Sequence, residues 1–385
     1  MIELAEPELG TVRVKVVGVG NAGGMIVKRI AREALPGVEC AAVNTAIKDL
    51  GNVTEVRQLR IGAGFTKGHG AGMDPQVGRK AALEDANAIR DFLGDNDIVI
   101  LVAGFGKGTG TGATPVVAEL ARENGALTLA FVTTPMPIET RKHHQNAAEG
   151  LAELKQKVDV YVPLSNERLF TMPGLSTLAQ AWTYMDEVVL AAVRGLVEVI
   201  VRGGRMSHDL ADLRTLLRGA GLSAFAMGAG KGEDRVAAAV RELAEFPFID
   251  ADRLGTARSL LANIAGGTDL TLHEIAELQA ELQALTGAEP TLAPAIWQDE
   301  SLQGEVRLTV LAAGLAETAA ARAGDDLFLD RGLLRGSPIA RGAAGPARPG
   351  RPGALAEAAV IAEEDLERPA YLRKPRPGLV PGPRG

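Results

Sequence analysis

Ala103-Gly-Phe-Gly-Lys-Gly-Thr-Gly-Thr-Gly-Ala113 is the stretch from which the fold can be read. It follows Ile98-Val-Ile-Leu-Val102, a continuous apolar run of the kind that forms buried parallel strands. It precedes Thr114-Pro-Val-Val-Ala-Glu-Leu-Ala-Arg122, which predicts a helix with Pro115 near its first turn. Glycines let a backbone approach a ligand and take positive φ. The first turn of a helix offers unpaired N–H groups at the positive end of its dipole. Strand, glycine-rich loop and helix together predict an anion site suited to nucleotide phosphates, with hydroxyls of Thr109 and Thr111 as further donors. The loop is not a Walker A sequence, because Lys107 is followed by Gly108 rather than by Ser or Thr.

Upstream, the strand Val12–Val17 runs into Gly18-Val-Gly20-Asn-Ala-Gly23-Gly24 and a helix over Met25–Arg32. This is a G-x-G-x-x-G between strand and helix, which alone would indicate a dinucleotide-binding unit. The next strand, Glu39–Val43, ends in Asn44-Thr45, where a dehydrogenase commonly places an acid on the ribose. A simple NAD site also leaves the second glycine loop unexplained, so an NAD-dependent oxidoreductase is the remote alternative.

At 385 residues there is room for two domains and a substantial core. Hydrophobic content of 46% with 23% charged residues fits a soluble globular chain, and a net charge of −7 argues against a nucleic-acid partner. The single cysteine, Cys40, excludes an intramolecular disulfide, fits a reducing cytoplasm and reads as a small core residue. The amino-terminal residues lack a signal-peptide pattern, and no apolar run is long enough to span a bilayer. Direct membrane insertion is therefore not expected, and any membrane role would go through a partner.

The segment Gly106-Lys-Gly-Thr-Gly-Thr-Gly112 resembles the signature loop of the tubulin/FtsZ family of cytoskeletal GTPases, which usually reads Gly-Gly-Gly-Thr-Gly-Thr-Gly in its bacterial division members. The resemblance runs motif by motif from about Val14 to Leu315 and resumes near the carboxyl end. It implies an α/β fold: a Rossmann-like GTPase domain with a parallel sheet (1–175), a long central helix (176–204) and a smaller α/β domain (205–316). A disordered linker (317–362) and a partner-binding peptide (363–376) would follow. The linker reading has its own basis, since Arg331–Gly353 carries five Arg, no acid and many Gly, Pro and Ala. Gly228-Ala-Gly-Lys-Gly232 could pass for another phosphate loop and reads better as a structural turn.

The resemblance also implies GTP or GDP as ligand, with Mg²⁺, and assigns residues. Gly20 and Asn21 in the first loop, Ala71 and Gly72 in the glycine-rich stretch Gly62–Gly72, and Gly106, Lys107, Gly108, Thr109 and Gly110 would hold phosphates. Glu139 and His143 fall where the family has an acid and an Arg near ribose and phosphates, with Arg141 as a possible substitute beside a plain solvated helix start. Asn166, Trp182 and Glu187 fall where it reads and stacks the base, core packing being the rival for Trp182. Asp209 and Asp212 match acids that enter the neighbouring subunit's site and orient the attacking water. Read without the resemblance, they are acids favoured by a helix dipole. No side chain is singled out as a metal ligand.

The implied function is head-to-tail filament assembly with GTP hydrolysis at the subunit interface, in the cytoplasm at the mid-cell septum of dividing bacteria. The chain would polymerise with itself and meet membrane-tethering division proteins through 363–376, with Leu366, Tyr371 and Leu372 as anchors. Met25, Ala46, Lys107, His143, Glu187 and Ser207 depart from the family pattern. They motivate the alternative of a diverged paralogue that binds nucleotide, hydrolyses it weakly and serves as scaffold or regulator. Lys107 itself reads two ways: an added cation for the triphosphate, or a side chain crowding a loop that needs bare backbone.

Overall fold

The computed structural model describes residues 12–172, 174–200, 208–249, 251–287 and 290–316. Ser207, the linker and the carboxyl-terminal peptide lie outside them.

The chain begins with β1 (Val14–Val19), α1 (Gly20–Arg32), β2 (Val38–Asn44), a short α2 (Ile47–Leu50) and β3 (Arg57–Arg60). It continues through α3 (Ala63–Thr66), α4 (Pro75–Glu84), α5 (Ala86–Leu93), β4 (Ile98–Gly104) and α6 (Thr109–Glu123). β5 (Leu127–Thr134), α7 (Arg141–Leu154), β6 (Val160–Ser165) and a 3-10 turn at Asn166–Thr171 close the first half. The second half holds α8 (Leu178–Ile200), α9 (Leu210–Leu217), β7 (Gly221–Lys231), α10 (Arg235–Ala244), α11 (Ala251–Leu254) and β8 (Ser259–Gly266). It ends with α12 (Leu272–Thr286), β9 (Thr291–Gln298) and β10 (Glu305–Ala313).

The strands lie in the order β3-β2-β1-β4-β5-β6-β7-β10-β8-β9. From β3 to β6 every pairing is parallel, as expected of apolar runs separated by helices. A ladder of only two residue pairs, Val160↔Gly221 and Tyr161↔Leu222, joins β6 to β7. Beyond it β7, β10 and β8 pair antiparallel. Alternation along the strands divides the core. Val14 and Val16 of β1 join Ile26, Val27 and Ile30 of α1 and the apolar face of α8, while Val17 and Val19 face Ala81, Ile89 and Val117 of α4, α5 and α6. α8 packs on α1 at one end and on the second-half strands at the other, so it carries the core across the weak β6–β7 seam.

The segment Lys80–Phe92 lies in two helices, broken at Asp85, whose backbone leaves the helical region and whose carboxylate accepts from the Gly62 amide at 2.6 Å. Two local expectations change. Gly228 and Gly230 lie within β7 rather than in a turn. A Cβ at either would overlap the carbonyl oxygen of Ala239 or Arg235, so their role is close approach of α10. The helix after β4 starts at Thr109, not Thr114, so Pro115 is interior and the Gly-Thr run is itself the first helical turn.

Candidate functional site

The order β3-β2-β1-β4-β5-β6 reverses direction between β1 and β4, and ligands of open parallel sheets bind at the carboxyl ends of the strands beside such a reversal. Two helices start there. α1 begins at Gly20 (φ 77°) directly from β1, and α6 begins at Thr109, five residues beyond the end of β4. Neither has a side-chain cap or an acid in its first turn, whereas α7, α9 and α12 are each capped by a side chain. Uncapped helix starts at one crevice leave two sets of N–H groups and two positive dipole ends for an anion.

Glycine is required here by packing as well as by φ. A Cβ on Gly20 would come 2.9 Å from the Gly110 nitrogen, so the two helix starts touch. A Cβ on Gly23 would overlap the Val102 carbonyl, and one on Gly108 would lie 2.6 Å from the Ala71 Cβ. The Ala71–Gly72 loop thus lies against the loop after β4, bringing two of the anticipated phosphate segments together.

Hydrogen bonds stretch the loop between its neighbours. The Gly106 amide donates to Thr111 Oγ1 at 2.8 Å, and the buried Asn146 carboxamide of α7 donates to the Gly106 carbonyl at 3.0 Å and to the Met73 carbonyl at 3.5 Å. The Thr111 hydroxyl is consequently a buried brace and not a ligand donor, contrary to expectation. Thr109 Oγ1 lies 2.6 Å from Thr45 Oγ1, tying the start of α6 to the end of β2. Lys107 is exposed and has no ion-pair partner among the described residues.

Glu139 and His143 face one another. Glu139 accepts from the Met136 amide at 3.1 Å and meets His143 Nδ1 at 2.9 Å, while the His143 backbone packs against Gly106. Asn166 donates to the Thr134 carbonyl at 2.7 Å, at the carboxyl end of β5. Trp182, in the first turns of α8, is 56% exposed, which removes core packing as its role. Glu187 is half-exposed and paired with Arg29 of α1 at 2.8 Å. Burial pushes the neighbouring Asp186 carboxyl up, Arg29 opposing and Glu187 adding to the rise.

Asp209 and Asp212 are not part of this cluster. They form a reciprocal capping box on α9: Asp209 accepts from the Asp212 amide at 2.8 Å and Asp212 from the Asp209 amide at 3.3 Å. α9 leads into Gly221, which bonds the Asp159 carbonyl just before β6 begins, at the edge of the sheet opposite the glycine loops. Within one chain these acids and the phosphate-type loops are at opposite ends.

Sequence reading missed Arg29 and Asn146. Arg29 had one available signal, its position four residues after Met25 on the same helix face. Asn146 belongs to no motif, and only the approach of α7 to two distant loops makes it visible.

The strand order suits an NAD site as well as a GTPase site, so comparison with known proteins decides. Residues 13–174 match the model of the tubulin/FtsZ family GTPase domain, and residues 221–316 that of the FtsZ family C-terminal domain. The chain is 36% identical over 374 residues to the cell division protein FtsZ of Pseudomonas aeruginosa, covering 97% of this chain and 92% of that one. It is 36% identical over 325 residues to the cell division protein FtsZ of Coxiella burnetii, covering 84% of each. Among solved structures, an empty FtsZ dimer of M. jannaschii superposes with a TM-score of 0.75 at 35% identity, covering 80% of this chain and 89% of that one. A GTPγS-bound CetZ2 protofilament subunit from Haloferax volcanii shares the fold, with a TM-score of 0.71 at 21% identity, covering 83% and 98%. Two glycine-bearing helix starts at one crevice, both family models and identity sustained over nearly the whole length lead to one conclusion: the chain belongs to the tubulin/FtsZ family of GTPases.

Proposed function

We propose that this chain is the filament-forming GTPase of cell division, with a hydrolytic site assembled from two subunits. It binds GTP and GDP, hydrolyses GTP and assembles with copies of itself. The observation that carries the two-subunit site is the placement of the uncapped starts of α1 and α6 at one edge of the sheet, with Asp209 and Asp212 toward the other. Stacked head to tail, the second edge of one copy meets the first edge of the next, a heterologous contact that propagates as a filament.

In this reading Gly20, Asn21, Ala71, Gly72, Gly106, Gly108, Thr109 and Gly110 surround the phosphates, and exposed Lys107 adds a cation. Glu139 and His143 border the ribose side. Asn166, Trp182 and Glu187 take the base: Trp182 as an exposed stacking face, Asn166 and Glu187 through hydrogen bonds. Among the described residues no group of three or more His, Cys, Asp or Glu could hold a metal. A Mg²⁺ ion would be carried on the phosphate oxygens, where it would offset their charge. Asp209 and Asp212 of the next subunit position the attacking water and stabilise charge around an in-line displacement, with no covalent nucleophile.

The domain reading keeps 1–175 as nucleotide domain, 176–204 as central helix and 205–316 as the smaller domain, with the tail peptide 363–376 docking on membrane-tethering division proteins. No helix among the described residues is long and apolar enough to cross a membrane. We place the protein in the cytoplasm, at the division site. The diverged-scaffold alternative has no observation favouring it: Lys107 is exposed, and the glycine cradle is intact.

The test is GTP turnover against protein concentration, with light scattering on the same samples. Turnover per subunit that rises above a critical concentration together with scattering is expected. Nucleotide binding with flat, near-zero turnover would refute the two-subunit hydrolytic site.

A further inference from the structure

Gly106 sits at φ 114°, a conformation reserved for glycine, and both of its peptide groups are gripped by side chains. Its N–H donates to the buried Thr111 hydroxyl. Its carbonyl accepts from Asn146, which is 6% exposed on the inner face of α7. In a trans peptide the C=O and the following N–H point in opposite directions. Drawing the Gly106 carbonyl toward α7 therefore turns the Lys107 N–H away from α7. The Lys107 and Gly108 amides have no acceptor among the described residues, so they are free donors beside the start of α6.

The alternative orientation of this peptide is harmful. Turned over, it would present the Gly106 carbonyl to the anion and bury the Lys107 N–H against α7. Glycine at 106 and 108 leaves the backbone soft enough for that turn. Elsewhere on the inner face of α7, His143 packs on Gly106 through its backbone, and Gly150 admits the Thr111 methyl and the Phe105 ring. The Asn146 carboxamide, bonded to the Gly106 carbonyl, selects between the two orientations. Its second, longer bond to the Met73 carbonyl ties the same carboxamide to the loop that follows Gly72.

We propose that Asn146 is a positioning residue for phosphate binding, holding the Gly106–Lys107 peptide so that the Lys107 amide faces the nucleotide. The proposal rests on the reading of the Gly104–Gly112 loop as the phosphate cradle. Asn146→Leu keeps the volume and removes the donor, and is expected to weaken GDP and GTP binding roughly ten- to a hundredfold, the worth of a charge-assisted hydrogen bond. Asn146→Ser, shorter but still a donor, is expected to recover part of that loss.

The experiment uses the full chain labelled with ¹⁵N-lysine, titrated with GDP, with the Lys107 amide assigned by its disappearance in Lys107→Arg. In the parent protein that amide should shift downfield on GDP binding. In Asn146→Leu the shift should shrink or vanish at saturating GDP, while the remaining lysine amides keep their positions. A purely structural role would lower the unfolding midpoint and leave affinity and the Lys107 shift intact, which overturns the proposal. An unresponsive Lys107 amide in GDP-bound parent protein overturns it without any variant, should Asn146→Leu fail to fold. A parent protein that binds no guanine nucleotide would instead remove the cradle reading on which the proposal stands.

Discussion

Replacing Asp212 by Asn separates structural from chemical work at the start of α9. Asp212 accepts one backbone hydrogen bond, from the Asp209 amide at 3.3 Å, and an Asn side-chain oxygen can accept the same bond. The remaining structural loss is a negative charge near a helix N-terminus, about 0.3–1 kcal/mol at an exposed site, and an exposed contact with His208 Nδ1 at 3.8 Å that is worth about as little. Even Asp209→Ala, which deletes the N-cap itself, should cost only about 1 kcal/mol. Either loss is small beside the roughly 5–15 kcal/mol that stabilises a typical domain. A carboxylate that orients and polarises water contributes roughly 10²–10⁴-fold in rate. Asp212→Asn should therefore fold, bind GTP and scatter light as filaments, yet hydrolyse GTP roughly a hundredfold more slowly or worse. The assay is phosphate release at matched polymer mass, with urea unfolding on the same preparation. Mixing adds a second readout. Gly108→Asp places a like charge in the cradle while keeping Asp212, and in an equimolar copolymer with Asp212→Asn about a quarter of the interfaces regain both halves. Turnover of Asp212→Asn within threefold of the parent, or no recovery in copolymers that do form, would refute the two-subunit reasoning.

Other substitutions follow from the same geometry. Trp182→Ala should leave stability within about 0.5 kcal/mol, because the side chain is exposed, and weaken guanine nucleotide by roughly 1–3 kcal/mol of lost stacking. Calorimetric titration with GDP checks it, and unchanged affinity would remove Trp182 from the base site. Gly106→Ala forces φ 114° on a residue with a Cβ 2.6 Å from the Pro135 ring, and should cost roughly 1–3 kcal/mol of stability along with nucleotide affinity. The Arg235 guanidinium, bonded through two nitrogens to Glu274, lowers that carboxyl from its ordinary 4.5 to about 2. The resulting stability is complete above pH 4.5 and fades as pH falls toward 2, so the parent should lose urea resistance across that window more steeply than Arg235→Gln. Equal slopes would contradict it. Burial, with Glu39 adding, pushes the Cys40 thiol up to about 11, so alkylation of the native protein at pH 8 should run roughly a hundredfold slower than that of free cysteine.

Part of the site was legible because its requirements are local. Glycine at 18, 20, 23, 106, 108 and 110 marks close backbone approach wherever the chain leads, and an apolar run before each loop marks a buried strand. Errors arose where a local signal had a distant competitor. Pro115 reads as the start of a helix, but the Thr114 hydroxyl bonds the Gly110 carbonyl at 2.5 Å and the helix already runs from Thr109. Thr111 reads as a ligand donor, but its hydroxyl is buried and accepts from the Gly106 amide inside the loop.

The sequence by itself determined the succession of parallel strands, the two glycine-rich helix starts and, through motif resemblance, the family, since each depends on residues within a few positions of one another. Tertiary structure alone decided which polar groups remain free for a ligand. A hydrogen bond satisfies its partners regardless of separation along the chain: the Gly106 carbonyl is taken by Asn146 and the Asp85 carboxylate by the Gly62 amide. What is left over is the pair of open helix ends at one edge of the sheet, far in the fold from the acids on α9. That separation follows from strand order, which no stretch of sequence contains.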